Sequence, residues 1–176
     1  MRARDVALAV LVISAMVRCE VSAQGSTRPE ERLKERKITL PAVPAPVANY
    51  VRAVRVGNLL FVSGTTSRDL KPLGKVGREL TVDQGYQAAR HAGILFLANV
   101  RAELGTLDRV KRVVKVLGMV NSADGFSEQP AVINGFSDLM VEVFGEATGK
   151  HARSAVGVAG LPGNAPVEVE AILEIE

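Results

Sequence analysis

The 176-residue sequence has no tryptophan, 4% aromatic residues, one cysteine and two histidines. Its core must be aliphatic, and a ring platform for stacking nucleic-acid bases is not available. A lone Cys19 forms no internal disulfide. His91 and His151 have no partner at helical spacing, so a zinc site built on sulfur or paired histidines lacks its ligands. Blocks of like charge are also missing: the net charge is +3, but Lys and Arg never run beyond pairs such as Arg36-Lys37, which leaves a weak field for nucleic acid. No apolar run approaches the ~20 residues that span a bilayer.

The longest such run, Val6 to Val17, follows the basic stretch Met1-Arg-Ala-Arg4 and precedes the small-residue site Val21-Ser-Ala23. This is the order of a cleavable signal peptide over 1–23, with cleavage expected after Ala23 and a periplasmic or secreted mature chain with no membrane segment. Cys19 would leave with it. Residues 24–46 read as an N-terminal extension: a polar lead-in, a sign-alternating stretch Arg28 to Lys37 that suits a solvated turn or helix, then an extended segment carrying Pro41, Pro44 and Pro46.

Residues 47–176 form one domain by length and apolar content. Tyr50 to Val56, Gly57-Asn58 and Leu59 to Gly64 read as a β-hairpin whose second strand is apolar enough to be central or buried on both sides. Ser67 to Leu80 is loop. Thr81-Val-Asp-Gln84 is a capping box opening a helix that ends at Gly105, and His91 lies off its apolar stripe. Leu107 to Val120 reads as a strand, with Lys111, Arg112 and Lys115 marking an edge or a solvated face. Ser127 and Pro130 open a second helix with core positions Val132 or Ile133, Phe136, Leu139 or Met140, and Val143.

The last twenty-six residues hold two more strand-like runs. Arg153 opens the first, which ends at Ala159, and Leu161-Pro162-Gly163-Asn164 offers a turn folding it antiparallel onto the second. From Val167 onward the residues alternate, with Val167, Val169, Ala171, Leu173 and Ile175 on one face and Glu168, Glu170, Glu174 and Glu176 on the other, where Ile172 interrupts. The order is β-β-α-β-α-β-β, an α+β domain with one sheet covered by two helices. Arg153 and Glu168 would then share a sheet, although a strand-edge cation and a solvated acidic face fit the same pattern.

Arg153-Ser-Ala-Val-Gly-Val-Ala-Gly-Leu-Pro162, followed by Val167-Glu-Val-Glu-Ala-Ile172, resembles the C-terminal signature of the RidA/YjgF family, the reactive-intermediate deaminases also labelled L-PSP endoribonuclease-like. Asn49-Tyr50 and Val62-Ser63-Gly64-Thr65 resemble its site-lining segment, and Asn134 resembles an Asn early in its second helix. The resemblance implies a chorismate-mutase-like fold, a homotrimer with a site between neighbours, and hydrolysis of a small imine or enamine acid to a keto acid and ammonia. By the same resemblance Arg153 grips the substrate carboxylate and Glu168 orients water, while Tyr50, Ser63, Gly64, Asn134 and Ala155 line the site. No metal or organic cofactor is implied, and nucleic acid is not an expected partner. Many members carry Cys where this chain has Ala155, which removes any thiol role. The alternatives are a non-catalytic trimeric binder of small carboxylates, a protein-holding module and, third, a ribonuclease.

Overall fold

Period-2 patterning, capping chemistry and glycine stops set the elements, and the structure, a computed structural model, describes residues 28–43 and 48–176. The expected signal segment lies outside the described residues. The strands are β1 (Ala53–Val56), β2 (Leu59–Thr66), β3 (Val110–Asn121), β4 (Ala152–Val158) and β5 (Val167–Ile175); the helices are α1 (Pro29–Glu35), α2 (Val82–Leu104), α3 (Gln129–Phe144) and the single turn α4 (Glu146–Gly149). One sheet runs in the order β1-β2-β5-β3-β4. β5 is antiparallel to both its neighbours, and β4 lies parallel to β3.

The expected element order is therefore present, and two helices cover one face of the sheet. α2 begins at the reciprocal Thr81 and Gln84 cap and ends at Gly105, whose φ of 81° is the left-handed conformation that glycine adopts at no steric cost. α2 and α3 approach closely because small residues meet there: a Cβ at Gly135 of α3 would overlap the Tyr86 carbonyl oxygen of α2. Phe96 and Phe136 meet edge to face at 5.3 Å in the middle of this layer. The core positions read for α3 are buried, and so are both members of each alternative, Val132 and Ile133, Leu139 and Met140.

Four local expectations are corrected. The first concerns the turn at Leu161 to Asn164, which makes no hairpin of β4 and β5. Residues 159–166 instead carry the chain past β3, which lies between the two strands. Asn121 Nδ2 donates to Asn164 Oδ1 and Asn121 N–H to the Pro166 carbonyl, pinning the crossover to the end of β3. A sheet edge beside β3 is available to β4 because α3 returns the chain to that side, as parallel pairing requires.

The second correction narrows a pair of readings: β3 is interior, so of edge and solvated face only the solvated face remains, with Lys111 and Arg112 exposed. Its cations are accommodated by register shifts at Val110/Arg112 and Val113/Lys115, and Arg112 and Lys115 face Glu174 and Ile172 across the sheet. Third, β1 starts only at Ala53 rather than at Tyr50; of the two readings for β2 a place inside the sheet holds, between β1 and β5, whereas burial on both sides does not, since Leu60 and Val62 are buried on the helix side and Phe61 is 41% exposed on the other.

Fourth, the lead-in is packed from Pro29 onward. Leu33 and Leu40 are buried, and two carboxylates exchange caps: Glu30 N–H donates to Asp108 Oδ1 at 3.1 Å, and Leu107 N–H donates to Glu30 Oε1 at 3.0 Å. The sign alternation in Arg28 to Lys37 serves a docked helix, each carboxylate satisfying the other element's free N–H.

Candidate active site between sheet face and sheet edge

Every second residue of β5 points away from the helices, which places Glu168 and Glu170 on the uncovered face. Glu168 lies opposite Thr66 of β2 and Met119 of β3. Just before Thr66 the β2 register slips between Val62 and Thr65, so Ser63 and Gly64 form a bulge, a device common beside active sites. Ser63 N–H donates to the Arg52 carbonyl, and its Oγ to the Val51 carbonyl at 2.8 Å. A Cβ at Gly64 would overlap Glu168 Oε1, so glycine is what lets the carboxylate lie against the bulge. Tyr50 is 55% exposed on the segment leading to Val51.

Glu168 takes no hydrogen bond among the described residues. Burial, with the nearby Glu170 charge, pushes its carboxyl above the usual carboxylate range. That is the setting in which a carboxyl can both give and accept a proton.

The second cluster lies on the other side of the sheet. Arg153 pairs in register with Val116, Ala155 with Gly118, and both partners belong to the helix-covered face. The Arg153 guanidinium reaches α3: Nη1 donates to Asn134 Oδ1 and to Ser137 Oγ, both at 2.9 Å, and Nη2 to the Pro130 carbonyl at 3.4 Å. Both Nη1 hydrogens are thus used. Nε–H and one Nη2–H have no partner among the described residues, and together they can bind a carboxylate in two-point fashion. β4 is an edge strand, so alternate backbone N–H groups beside Arg153 and Ala155 also face away from the sheet.

The residues read from the sequence as one site thus fall into two clusters, Ser63, Gly64 and Glu168 in one and Arg153 and Asn134, with Ala155 on the same strand, in the other. Within one chain the structure does not bring them together: Arg153 and Glu168 face opposite sides of the sheet on strands separated by β3. Two hollows among the described residues, of about 320 and 250 Å³, are lined chiefly around Arg28, Asp108 and Glu176 and around Leu70, Pro72 and Gln87, so neither contains these groups.

Two members of the second cluster escaped the sequence. Ser137 contacts Arg153 directly, and His151 contacts Ser137 at 3.1 Å. The available signal was a pair of polar residues, Asn134 and Ser137, at three-residue spacing beside the apolar stripe of the helix.

The profile of the family described as "YjgF/chorismate_mutase-like, putative endoribonuclease" matches residues 30–174. The chain belongs to the YjgF/chorismate mutase-like family. It is 46% identical over 158 residues to Protein TCP17 of Trypanosoma cruzi, covering 88% of this chain and 99% of that one. It is 33% identical over 143 residues to a 2-iminobutanoate/2-iminopropanoate deaminase of Dermatophagoides farinae, covering 81% of this chain and 98% of the relative. Among solved structures, Atu1372 of Agrobacterium tumefaciens, a protein of unknown function, superposes with a TM-score of 0.76 at 45% identity, over 84% of this chain and 94% of that one. The match of the YjgF family begins at residue 30, inside α1, in keeping with the packing of that helix against the body.

Proposed function

We propose that the chain is a hydrolytic deaminase of small imine or enamine carboxylic acids, with its site completed between two copies in a trimer. Arg153 from one copy grips the substrate carboxylate through Nε and Nη2. Glu168 from its neighbour, lying on the Ser63-Gly64 bulge, takes a proton from water as the oxygen attacks the C=N carbon. It returns that proton to nitrogen, giving the carbinolamine, and then carries the hydroxyl proton to the same nitrogen as the C–N bond breaks and ammonia leaves. Atoms balance: imine plus water gives keto acid plus ammonia. The steps assigned to these residues are anion binding and proton transfer only.

One observation carries the reading. A guanidinium braced on one side and open on the other sits in one half of the site, and an unbonded carboxyl of raised pKa sits in the other. The uncovered sheet face supports association between copies, because Val54, Phe61 and Ile172 adjoin on three neighbouring strands, with Phe61 41% and Val54 51% exposed and no helix of the described residues over them. The deaminase name of the mite relative supports the substrate class. We propose export as well, which places Gln24 at the mature N-terminus; N-terminal sequencing of protein from the expressing cell reads it.

The test supplies 2-iminopropanoate, generated in place from an amino acid, to purified protein and follows ammonia beside Arg153→Ala and Glu168→Gln. Turnover abolished by both changes is the expected result. Carboxylate binding without turnover makes the protein a binder; RNA cleavage that survives Arg153→Ala turns the reading to a nuclease and sinks this one. Sedimentation measures the trimer.

A further inference from the structure

The hydrogen bonds behind Arg153 allow only one placement of protons. Gly149 offers a carbonyl oxygen, which can only accept, so His151 Nδ1, at 2.6 Å from it, is the donor. A neutral imidazole then has a lone pair on Nε2. Burial holds His151 below its usual range; the Gly149 bond opposes it, and the adjacent Arg153 charge, the smallest of the three effects, acts with burial. Ser137 Oγ, 3.1 Å from Nε2, must therefore donate to it. Arg153 can only donate, and Ser137 Oγ accepts its Nη1–H at 2.9 Å. The chain runs Arg153 to Ser137 to His151 to the Gly149 carbonyl, every donor matched to an acceptor.

We propose that His151, acting through Ser137, is a positioning residue for Arg153, fixing the rotation of the guanidinium so that its Nε/Nη2 edge faces the ligand carboxylate. The proposal rests on the deaminase reading for the identity of the ligand. Without the imidazole acceptor the Ser137 hydroxyl is free to rotate its hydrogen toward Arg153, and the fork loses one of its braces. Asn134 and the Pro130 carbonyl remain, so the guanidinium stays near its place but gains a rotational freedom that binding must then remove. His151 is held as a rigid body as well: its ring meets Phe136 edge to face at 6.2 Å.

The test uses pyruvate as probe and purified protein throughout. Ser137→Ala and His151→Phe, the latter keeping a ring against Phe136, are each expected to weaken pyruvate binding about tenfold, the size of one charge-assisted hydrogen bond. Ser137→Thr, which keeps the hydroxyl, is expected to stay near wild type. The double variant is expected to lose no more than either single one, because both remove the same bond. In turnover, KM should rise while kcat changes less. Nitrogen-15 spectra should show His151 protonated at Nδ1, with an Nε2 resonance that moves in Ser137→Ala and in Arg153→Ala.

Wild-type affinity in both single variants, or additive losses in the double one, overturns the proposal. So does an Nε2-protonated tautomer. A wild-type protein that binds no pyruvate overturns the deaminase reading instead, and the tautomer and its response to Ser137→Ala and Arg153→Ala then decide the relay by themselves.

Discussion

The two halves of the site are prepared in opposite ways. Arg153 is braced by three hydrogen bonds from α3, one of them backed by His151, so its charge is already oriented before any ligand arrives. Glu168 has no hydrogen bond among the described residues, and partial burial makes its ionisation unfavourable. A binding group gains from being fixed, since every rotation frozen in advance is one the ligand need not freeze. A proton-transferring group gains from being left unsatisfied, because strong partners would hold its carboxylate ionised and poor at giving a proton back. The halves also lie on opposite faces of one sheet, so in the proposed reaction each takes its counterpart from another copy of the chain.

The widest separation between them should appear on removing each group. Glu168→Gln keeps the shape and removes the proton carrier, so kcat is expected to fall about 10²–10⁴-fold with pyruvate binding nearly intact, measured by ammonia release beside a binding titration. Arg153→Ala is expected to fail the other way, losing roughly 100-fold or more in affinity. Arg153→Lys should recover little, since an ammonium cannot reproduce the planar fork. A Glu168→Gln variant that loses affinity as severely as Arg153→Ala would erase the contrast between gripping and proton transfer.

The members of each half were named through the resemblance of separate short motifs to a family pattern, Val62-Ser63-Gly64-Thr65 and Val167-Glu-Val-Glu in one, Arg153-Ser-Ala155 and Asn134 in the other, and adjacency in the chain did not group them. The alternation in β5 also gave the correct face for Glu168. The faces of Arg153 and Glu168 relative to each other were not legible. That relation depends on β3 lying between β4 and β5, and a Pro-Gly turn looks the same whether the chain folds back at once or crosses a neighbouring strand first. His151 was hidden for a similar reason. Its partner Ser137 is fourteen residues away on another element, and no local spacing announces such a pair. The packing of α1 was masked by its charges: Glu31, Lys34 and Glu35 are exposed, while Glu30 exchanges caps with Asp108 and Leu107.

Two glycines sharpen the comparison between the covered and uncovered faces. Gly135→Ala puts a methyl against the backbone of α2, which cannot swing aside, and is expected to destabilise the fold by about 1–3 kcal/mol in denaturant titration. Gly64→Ala puts a methyl against the end of the Glu168 side chain, which can move. Stability should therefore change little while kcat drops, roughly tenfold for a misplaced proton carrier. If Gly64→Ala instead unfolds the protein and leaves the residual kcat untouched, the carboxylate is not resting on that bulge in the working site.

The smallest effect tests the unsatisfied state of Glu168 directly. Its folded-state pKa is raised, so between the ordinary carboxylate value and the folded one the native chain holds more protons than the unfolded chain, and stability falls as pH rises through that window. Glu168→Gln removes this penalty. The variant should be more stable than wild type near neutral pH, by less than about 1 kcal/mol because the carboxyl is still partly solvated and its field screened. The difference should vanish on acidification below the ordinary carboxylate range, where both chains are neutral at that position. His151, with a lowered pKa, acts oppositely: its contribution is full above the ordinary histidine value and is lost as pH falls toward its folded pKa. Because the two slopes have opposite signs, a stability profile of Glu168→Gln against wild type isolates the carboxyl, and one of His151→Phe isolates the imidazole. A profile for Glu168→Gln that parallels wild type from acid to neutral pH would mean that the carboxyl is fully solvated, and the contrast with Arg153 would then lie in geometry alone.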